Sequence, residues 1–170
     1  MREILIVEDS ENDFRLLKRA LQAAGVRNPI SHASTGGQAV KWLEETVAAA
    51  RKDFGPVLAI LFLDLNLPDL SGFEILARIT EEPTLAQTLR IVLSQMEDLD
   101  SIRRAYSMGA HSFLSKPATH ADVKELIKGF PDHWLLAPAP DRSVVRQLAK
   151  NRRTGTDGRS GAGKNSATVQ

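Results

Sequence analysis

The sequence predicts an α/β fold in which a parallel sheet is covered by helices on both faces. Five short apolar segments alternate with five segments whose apolar residues recur every three or four positions, a pattern typical of strands joined by helical crossovers. The third apolar segment, residues 57–63, is the most apolar, so we place it at the centre of the sheet. A chain of 170 residues is long enough for one such domain with an appendage.

The first helix is predicted between a capping residue and a glycine. Residues 4–7 form the preceding strand, Ser10 or Asn12 can cap the helix, and Gly25 can end it. Its apolar residues repeat at helical spacing: Phe14, Leu17, Leu21 and Ala24. Residues 29–33 predict a second, weaker strand.

The later elements continue the alternation. Residues 37–51 predict a helix with Ala39, Val40, Leu43 and Val47 on one face, and the central strand 57–63 follows. Further helices are predicted at residues 72–81, 98–108 and 120–128, and further strands at residues 90–93 and 112–114. Residues 143–151 have apolar spacing suited to one more short helix.

Charge is unevenly distributed along the chain. Residues 141–170 hold seven Lys or Arg and two Asp, a net charge of +5, whereas the preceding 140 residues hold 15 basic and 19 acidic side chains, a net charge of −4. We therefore expect a folded domain over residues 1–130, a C-terminal extension over 131–150 that is a candidate dimer arm, and a disordered basic tail over 151–170.

Composition excludes several classes of protein. The chain has no cysteine, so it has neither disulfides nor a cysteine-ligated metal. The apolar stretch at its start has only four residues, too few for a signal-peptide core or a membrane span. We expect a cytoplasmic protein without membrane contact.

Polar side chains follow four of the five predicted strands. They are Glu8 and Asp9 after the first strand, Asp64 after the third, Ser94 after the fourth and Lys116 after the fifth. In a parallel sheet these ends meet at one edge, where ligands of open α/β sheets bind. Three carboxylates in one cleft repel unless a cation neutralises them, and hard oxygen ligands suit Mg²⁺. With a lysine and a hydroxyl, they indicate a phosphoryl-transfer site whose nucleophile is a carboxylate.

Each of these residues has an ordinary structural explanation when taken alone. Asp64 could begin a turn, Ser94 could begin a helix, and Lys116 could be a surface charge. Their ordered occurrence at successive strand ends favours the functional interpretation instead.

With these residues in this order, the sequence resembles the receiver domains of two-component response regulators over residues 2–130. The matching positions are Glu8-Asp9, Asp64 within Asp64-Leu65-Asn66-Leu67-Pro68, Gly72, Ser94 and Lys116-Pro117. The resemblance implies a flavodoxin-like (βα)5 three-layer sandwich with a parallel sheet of order 2-1-3-4-5.

The resemblance also implies a role for each site residue. Asp64 would be the phosphoacceptor. Mg²⁺ would be bound by the side chains of Asp9 and Asp64, by the backbone carbonyl of Asn66 and, through a water, by Glu8. Ser94 and Lys116 would stabilise the phosphoryl group, Phe113 would be the aromatic switch residue, and the Lys116–Pro117 bond would be cis.

These roles describe a single-domain response regulator that takes its phosphoryl group from a sensor histidine kinase. It would be no enzyme beyond its own phosphotransfer and slow autodephosphorylation. The alternative is a small Mg²⁺-dependent phosphatase of the same fold, but that family needs a second Asp where this chain has Asn66. A third hypothesis is a regulator whose output partner lies outside this chain, and the downstream protein is not identified by the sequence.

The segment after the last predicted helix, His133-Trp134-Leu135-Leu136, suggests a subgroup. With the longer second crossover and residues 64–68, it resembles the single-domain regulators paired with bacterial and cyanobacterial phytochrome kinases. We expect a phytochrome as partner kinase and a homodimer in which residues 131–148 contact a twin through Trp134. Alternatively, Trp134 packs on its own domain.

Except for Met96, the remaining features of the sequence receive no functional role. The basic tail lacks interleaved aromatics, so we do not expect nucleic-acid binding. Residues 158–164 match part of a phosphate-binding loop without the strand or the Ser/Thr it needs. The histidines at 32, 111, 120 and 133 lack metal-ligand spacing. Met96, two residues after Ser94, is expected to slow loss of the phosphoryl group.

Overall fold

A computed structural model describes residues 2–52, 57–95 and 99–137. The predictions for Met96, for a helix at 143–151 and for the tail at 151–170 lie outside the described residues. Among the described helices, none has the length and apolar content needed to cross a membrane.

Within the described residues, the five predicted strands and the five helices predicted between residues 10 and 128 each have a counterpart, displaced by a few residues at their ends. The strands are β1 (Arg2–Val7), β2 (Ile30–Ala33), β3 (Val57–Asp64), β4 (Leu89–Ser94) and β5 (Ser112–Ser115), and the helices are α1 (Glu11–Ala23), α2 (Gly36–Ala50), α3 (Gly72–Glu81), α4 (Leu99–Ser107) and α5 (His120–Gly129). Two short 3-10 helices, Pro83–Leu85 and Pro131–His133, were not predicted.

Local chemistry explains where the first helix begins and ends. The Ser10 hydroxyl accepts a hydrogen bond from the backbone N–H of Asp13 at 3.3 Å, so Ser10 rather than Asn12 is the cap. Gly25 has a φ of +87°, a conformation that glycine adopts without strain. The helix therefore spans the interval between the two predicted signals.

The five strands form a parallel sheet of order β2-β1-β3-β4-β5. This is the flavodoxin-like order that the resemblance implied, with β3 at the centre. All strands point the same way, so Val7, Asp64, Ser94 and Ser115 end at one edge of the sheet. The polar residues predicted at the strand ends are thereby collected on that edge.

The sheet separates two apolar cores because successive side chains of a strand point to opposite faces. Ile4 and Ile6 pack with α1 and α5 on one face, and Leu5 and Val7 pack with α2, α3 and α4 on the other. The three-layer sandwich is therefore confirmed.

Residues beyond α5 pack on the domain's own surface. The backbone N–H of Arg27 donates to the Leu135 carbonyl at 2.6 Å, and the N–H of Ala137 donates to the Gly25 carbonyl at 2.8 Å. Trp134 is 6% exposed and lies in the core beside Phe62. The compact unit thus continues to Ala137.

Candidate functional site

Three carboxylates meet at the carboxyl edge of the sheet. Glu8 and Asp9 lie in the loop after β1, and Asp64 is the last residue of β3. Carboxylate oxygens of the three residues lie within 4.8 Å of one another. Glu8 is completely buried, Asp64 is 3% exposed and Asp9 is exposed. The cluster is therefore open to solvent on the side of Asp9.

Lys116, directly after β5, places its ammonium against the two buried acids. Its Nζ lies 2.6 Å from Asp64 Oδ2 and 2.9 Å from Glu8 Oε2. Asp13, in the first turn of α1, is a third partner at 3.6 Å. The Lys116 side chain is only 7% exposed, so water screens these ion pairs weakly.

Burial and pairing act in opposite directions on the pKa values of Glu8 and Lys116. Burial raises the pKa of the Glu8 carboxyl above its ordinary value, although hydrogen bonds from Lys116 and from the Ser10 backbone partly oppose it. Burial alone would lower the pKa of Lys116, but its hydrogen bonds to Asp64 and Glu8 raise the pKa above its ordinary value. Lys116 therefore remains charged at neutral pH.

The loop between β3 and α3 borders the same site. The backbone N–H of Asn66 donates to Asp64 Oδ1 at 2.9 Å, and Asn66 pairs with Ser71 in an antiparallel bridge. A side chain on Gly72 would come within 2.4 Å of the Asp64 carbonyl oxygen. Glycine is therefore required where α3 begins beneath the acidic residue.

Ser94 and Phe113 lie on the strands next to the cluster. Ser94 ends β4, and its carbonyl accepts the Lys116 backbone N–H at 2.8 Å. Phe113 on β5 is half-buried and packs on the α2–α4 side of the sheet. The Lys116–Pro117 peptide bond is cis, as the resemblance implied.

Trp134 lies away from this edge, in the core between the sheet and the α1–α5 layer. Trp134 therefore packs on its own domain, the alternative to the predicted contact with a twin through this side chain. Its neighbours Leu135 and Leu136 are 40% and 48% exposed.

Three residues near the site were not singled out by sequence reasoning: Asp13, His32 and Asp69. Asp13 contacts Lys116, His32 contacts the Glu8 carbonyl, and Asp69 contacts the start of α2. Only its position in the sequence could have identified Asp13, because it lies one turn into the helix that follows the acidic pair. His32 and Asp69 depend on chain segments that meet only after folding.

The side chains present suit a divalent cation with hard-oxygen preference. Three carboxylates, two of them buried, offer oxygen ligands within one small volume, a donor set matching Mg²⁺ or Mn²⁺. A concavity of about 430 Å³, lined by Asp9 and residues 65–71, opens beside the cluster. A metal-bound group has room to approach there.

A parallel sheet of this order, with clustered carboxylates and a lysine at its carboxyl edge, defines a class of flavodoxin-like domains with an acidic site suited to a divalent cation. The chain belongs to one family of that class, the response regulator receiver domains, whose family model matches residues 4–128.

Curated relatives agree with that assignment. The probable methanogenesis regulatory protein FilR2 of Methanothrix harundinacea is 30% identical over 132 residues, covering 78% of this chain and 83% of FilR2. Response regulator Rcp1 of Synechocystis is 28% identical over 132 residues, covering 78% of this chain and 88% of Rcp1.

Solved structures with the same fold include the bacteriophytochrome response regulator AtBRR, with a TM-score of 0.67 and 27% identity over 82% of this chain and 99% of AtBRR. The Mn²⁺-bound form of Rcp1 has a TM-score of 0.62 and 26% identity over 82% of this chain and all of that chain. The second of these structures holds a divalent cation.

Proposed function

We propose that this chain accepts a phosphoryl group on Asp64 from the phosphohistidine of a sensor kinase. The observation that carries the proposal is the position of Asp64, whose carboxylate lies beside Glu8 and Asp9 and is ion-paired to Lys116. In the transfer, an Asp64 carboxylate oxygen bonds to phosphorus, the P–N bond breaks, and the histidine nitrogen keeps the electron pair and takes up a proton.

The residues around Asp64 supply positive charge and hydrogen bonds to the transferred group. The Asn66 N–H holds Oδ1, and Lys116 holds Oδ2. Ser94 is the proposed hydroxyl donor, and Phe113 the proposed switch residue. Mg²⁺ held by Glu8, Asp9, Asp64 and the Asn66 carbonyl would neutralise the phosphoryl oxygens.

The proposed kinase partner is a bacteriophytochrome. The resemblance of the sequence to regulators of this group and the fold shared with AtBRR support this proposal. We also propose that residues 1–130 form the receiver domain and that the protein is cytoplasmic. Residues 131–150 are proposed to contribute to a homodimer. Support for the dimer comes from the exposed pair Leu135 and Leu136 on a hydrogen-bonded segment.

Labelling with acetyl phosphate and Mg²⁺ tests the acceptor. We expect one phosphoryl group per chain in the wild type and none in Asp64→Asn. Asp100→Asn, which changes an exposed carboxylate on α4 paired with Arg103, should label like the wild type. Labelling of Asp64→Asn at the wild-type level would contradict the proposal.

Two further measurements separate the alternatives. A phosphorylated species that persists for minutes, without turnover of small phosphoesters, supports a receiver, whereas steady phosphoester hydrolysis supports the phosphatase. Transfer from a phosphorylated bacteriophytochrome kinase at a higher rate than from an unrelated kinase supports the partner. Equal rates from both kinases would contradict it.

A further inference from the structure

His32 on β2 lies beside the end of β1, where the acidic pair begins. The ladder between the two strands pairs Ile6 with His32 and Val7 with Ala33. The backbone N–H of Glu8 still donates to the Ala33 carbonyl at 3.0 Å. Strand β2 ends at Ala33, so the Glu8 carbonyl, directly after β1, lies beyond the paired part of the two strands.

The imidazole of His32 supplies the hydrogen bond at that point. Its Nε2 lies 2.8 Å from the Glu8 carbonyl oxygen, and because a carbonyl can only accept, Nε2 carries the hydrogen. The ring is stacked on Phe14 of α1, with centroids 3.8 Å apart and planes 4° from parallel. Contacts with both the strand and the helix therefore fix the position of the ring.

Hydrogen bonds now hold Glu8 at its backbone and its side chain. The backbone is bonded to Ala33 and His32, and the carboxylate accepts from the Ser10 N–H at 3.0 Å and from Lys116. The Glu8 carbonyl belongs to the peptide unit that leads into Asp9. Rotation of that unit would displace the Asp9 carboxylate relative to Glu8 and Asp64, and the mutual repulsion of the three acids favours such displacement.

We propose that His32 is a positioning residue that fixes the Glu8–Asp9 peptide, so that the three carboxylates face one divalent cation. It acts through the Glu8 backbone and contacts neither the cation nor the phosphoryl group. The inference rests on the proposed function, because the cation is the Mg²⁺ of the phosphotransfer site.

Calorimetric titration of the full chain with Mg²⁺ tests the inference. His32→Phe retains a ring to stack on Phe14 but loses the N–H, and we expect the dissociation constant for Mg²⁺ to rise about three- to tenfold. His32→Gln restores an N–H donor without the ring and should recover part of the affinity. His120→Phe changes an exposed histidine at the start of α5 and should bind like the wild type.

Two companion measurements separate positioning from a general loss of structure. Acetyl phosphate labelling of His32→Phe should reach the wild-type rate at saturating Mg²⁺, because Asp64 and Lys116 are unchanged. Urea unfolding without Mg²⁺ should show the same midpoint for the Phe and Gln variants, although their Mg²⁺ affinities differ.

Wild-type Mg²⁺ affinity in His32→Phe would overturn the inference and leave the proposed function intact. Equal losses of Mg²⁺ affinity in the Phe and Gln variants would also overturn it. Absence of Mg²⁺ binding or of labelling in the wild type itself would overturn the proposed function together with this inference.

Discussion

Lys116 places its ammonium between Glu8 and Asp64, whose side chains are 1% and 4% exposed. Removing carboxylates from water is costly unless charge and hydrogen bonds compensate. The short contacts of Lys116 with both acids supply that compensation within the chain itself. One residue therefore makes the buried acidic pair compatible with a stable fold.

Lys116→Met is expected to lower the free energy of unfolding by about 3–5 kcal/mol in the absence of divalent cations, because it leaves two buried carboxylates without a counter-charge. Mg²⁺ should recover part of this loss by binding the same acids. Urea unfolding with and without Mg²⁺ measures both effects.

Lys128→Met is the matched control for this prediction. Lys128 pairs with Glu125 on α5, but both side chains are about 70% exposed, and its removal should change the free energy of unfolding by less than about 0.5 kcal/mol. Similar effects of the two substitutions would contradict the role assigned to Lys116.

At the scale of elements, the loop from β3 to α3 is fastened to the start of α2 by Asp69. The two carboxylate oxygens of Asp69 accept hydrogen bonds from the backbone N–H groups of Gly36 and Gly37, at 2.7 and 2.8 Å. A side chain on Gly36 would come within 2.4 Å of the Leu70 Cβ, so glycine permits this approach. The loop that follows Asp64 is thus held at its outer end by a second element.

The charge of Asp69 gives this fastening a defined pH dependence. Hydrogen bonds from Gly37 and Gly36 lower the pKa of the Asp69 carboxyl below its ordinary value of 3.8. Because the folded pKa is the lower one, the stabilisation is complete above the ordinary value and is lost as the pH falls through the folded value.

Asp69→Ala is therefore expected to lower the urea midpoint at pH 7, and the difference from the wild type should shrink as the pH falls below 3.8. Unfolding curves at pH 7 and pH 3 test this, with Asp100→Ala as the exposed-carboxylate control. A difference that is the same at both pH values would show that the charge of Asp69 is not responsible.

At the scale of the whole molecule, a buried asparagine joins the C-terminal segment to the sheet. Asn28 is 5% exposed; its Nδ2 donates to the Arg2 carbonyl at 3.0 Å, and its Oδ1 accepts the Leu135 N–H at 2.7 Å. Trp134, the residue before Leu135, packs in the core with residues of α1 and α5. The segment thereby buries its tryptophan and leaves Leu135 and Leu136 at the surface.

We expect Leu135→Ser combined with Leu136→Ser to convert a dimer into a monomer in sedimentation experiments, since the pair is the exposed apolar part of the segment. The free energy of unfolding of the monomer should change little, because both side chains are exposed. A wild-type monomer, or a double variant that remains a dimer, would contradict the proposed contact.

Trp134→Ala tests the buried residue of the same segment, in contrast to the exposed Leu135 and Leu136. Loss of a buried tryptophan should lower the free energy of unfolding by about 3–5 kcal/mol, whatever the oligomeric state. If Trp134→Ala were as stable as the wild type, the packing of the segment on the core would be in doubt.

The sequence alone determined the order of the elements and the identity of the acidic edge. Short apolar segments mark the strands and apolar residues at three- or four-residue spacing mark the helices. The polar residues that follow four of the five strands are visible in the chain without knowledge of its neighbours. The shared direction of parallel strands then brings Asp9, Asp64 and Lys116 to one edge, because every crossover returns the chain to the same side.

Only the tertiary structure decided what surrounds that edge. Whether Trp134 faces a core or solvent, and whether His32 or Asp69 has a partner, depends on the distance between segments that are far apart in sequence. A hydrogen bond between such segments leaves no periodic signal in the chain, since neither residue type nor spacing specifies the partner. The acidic edge follows from strand direction, whereas the contacts that hold it follow from packing.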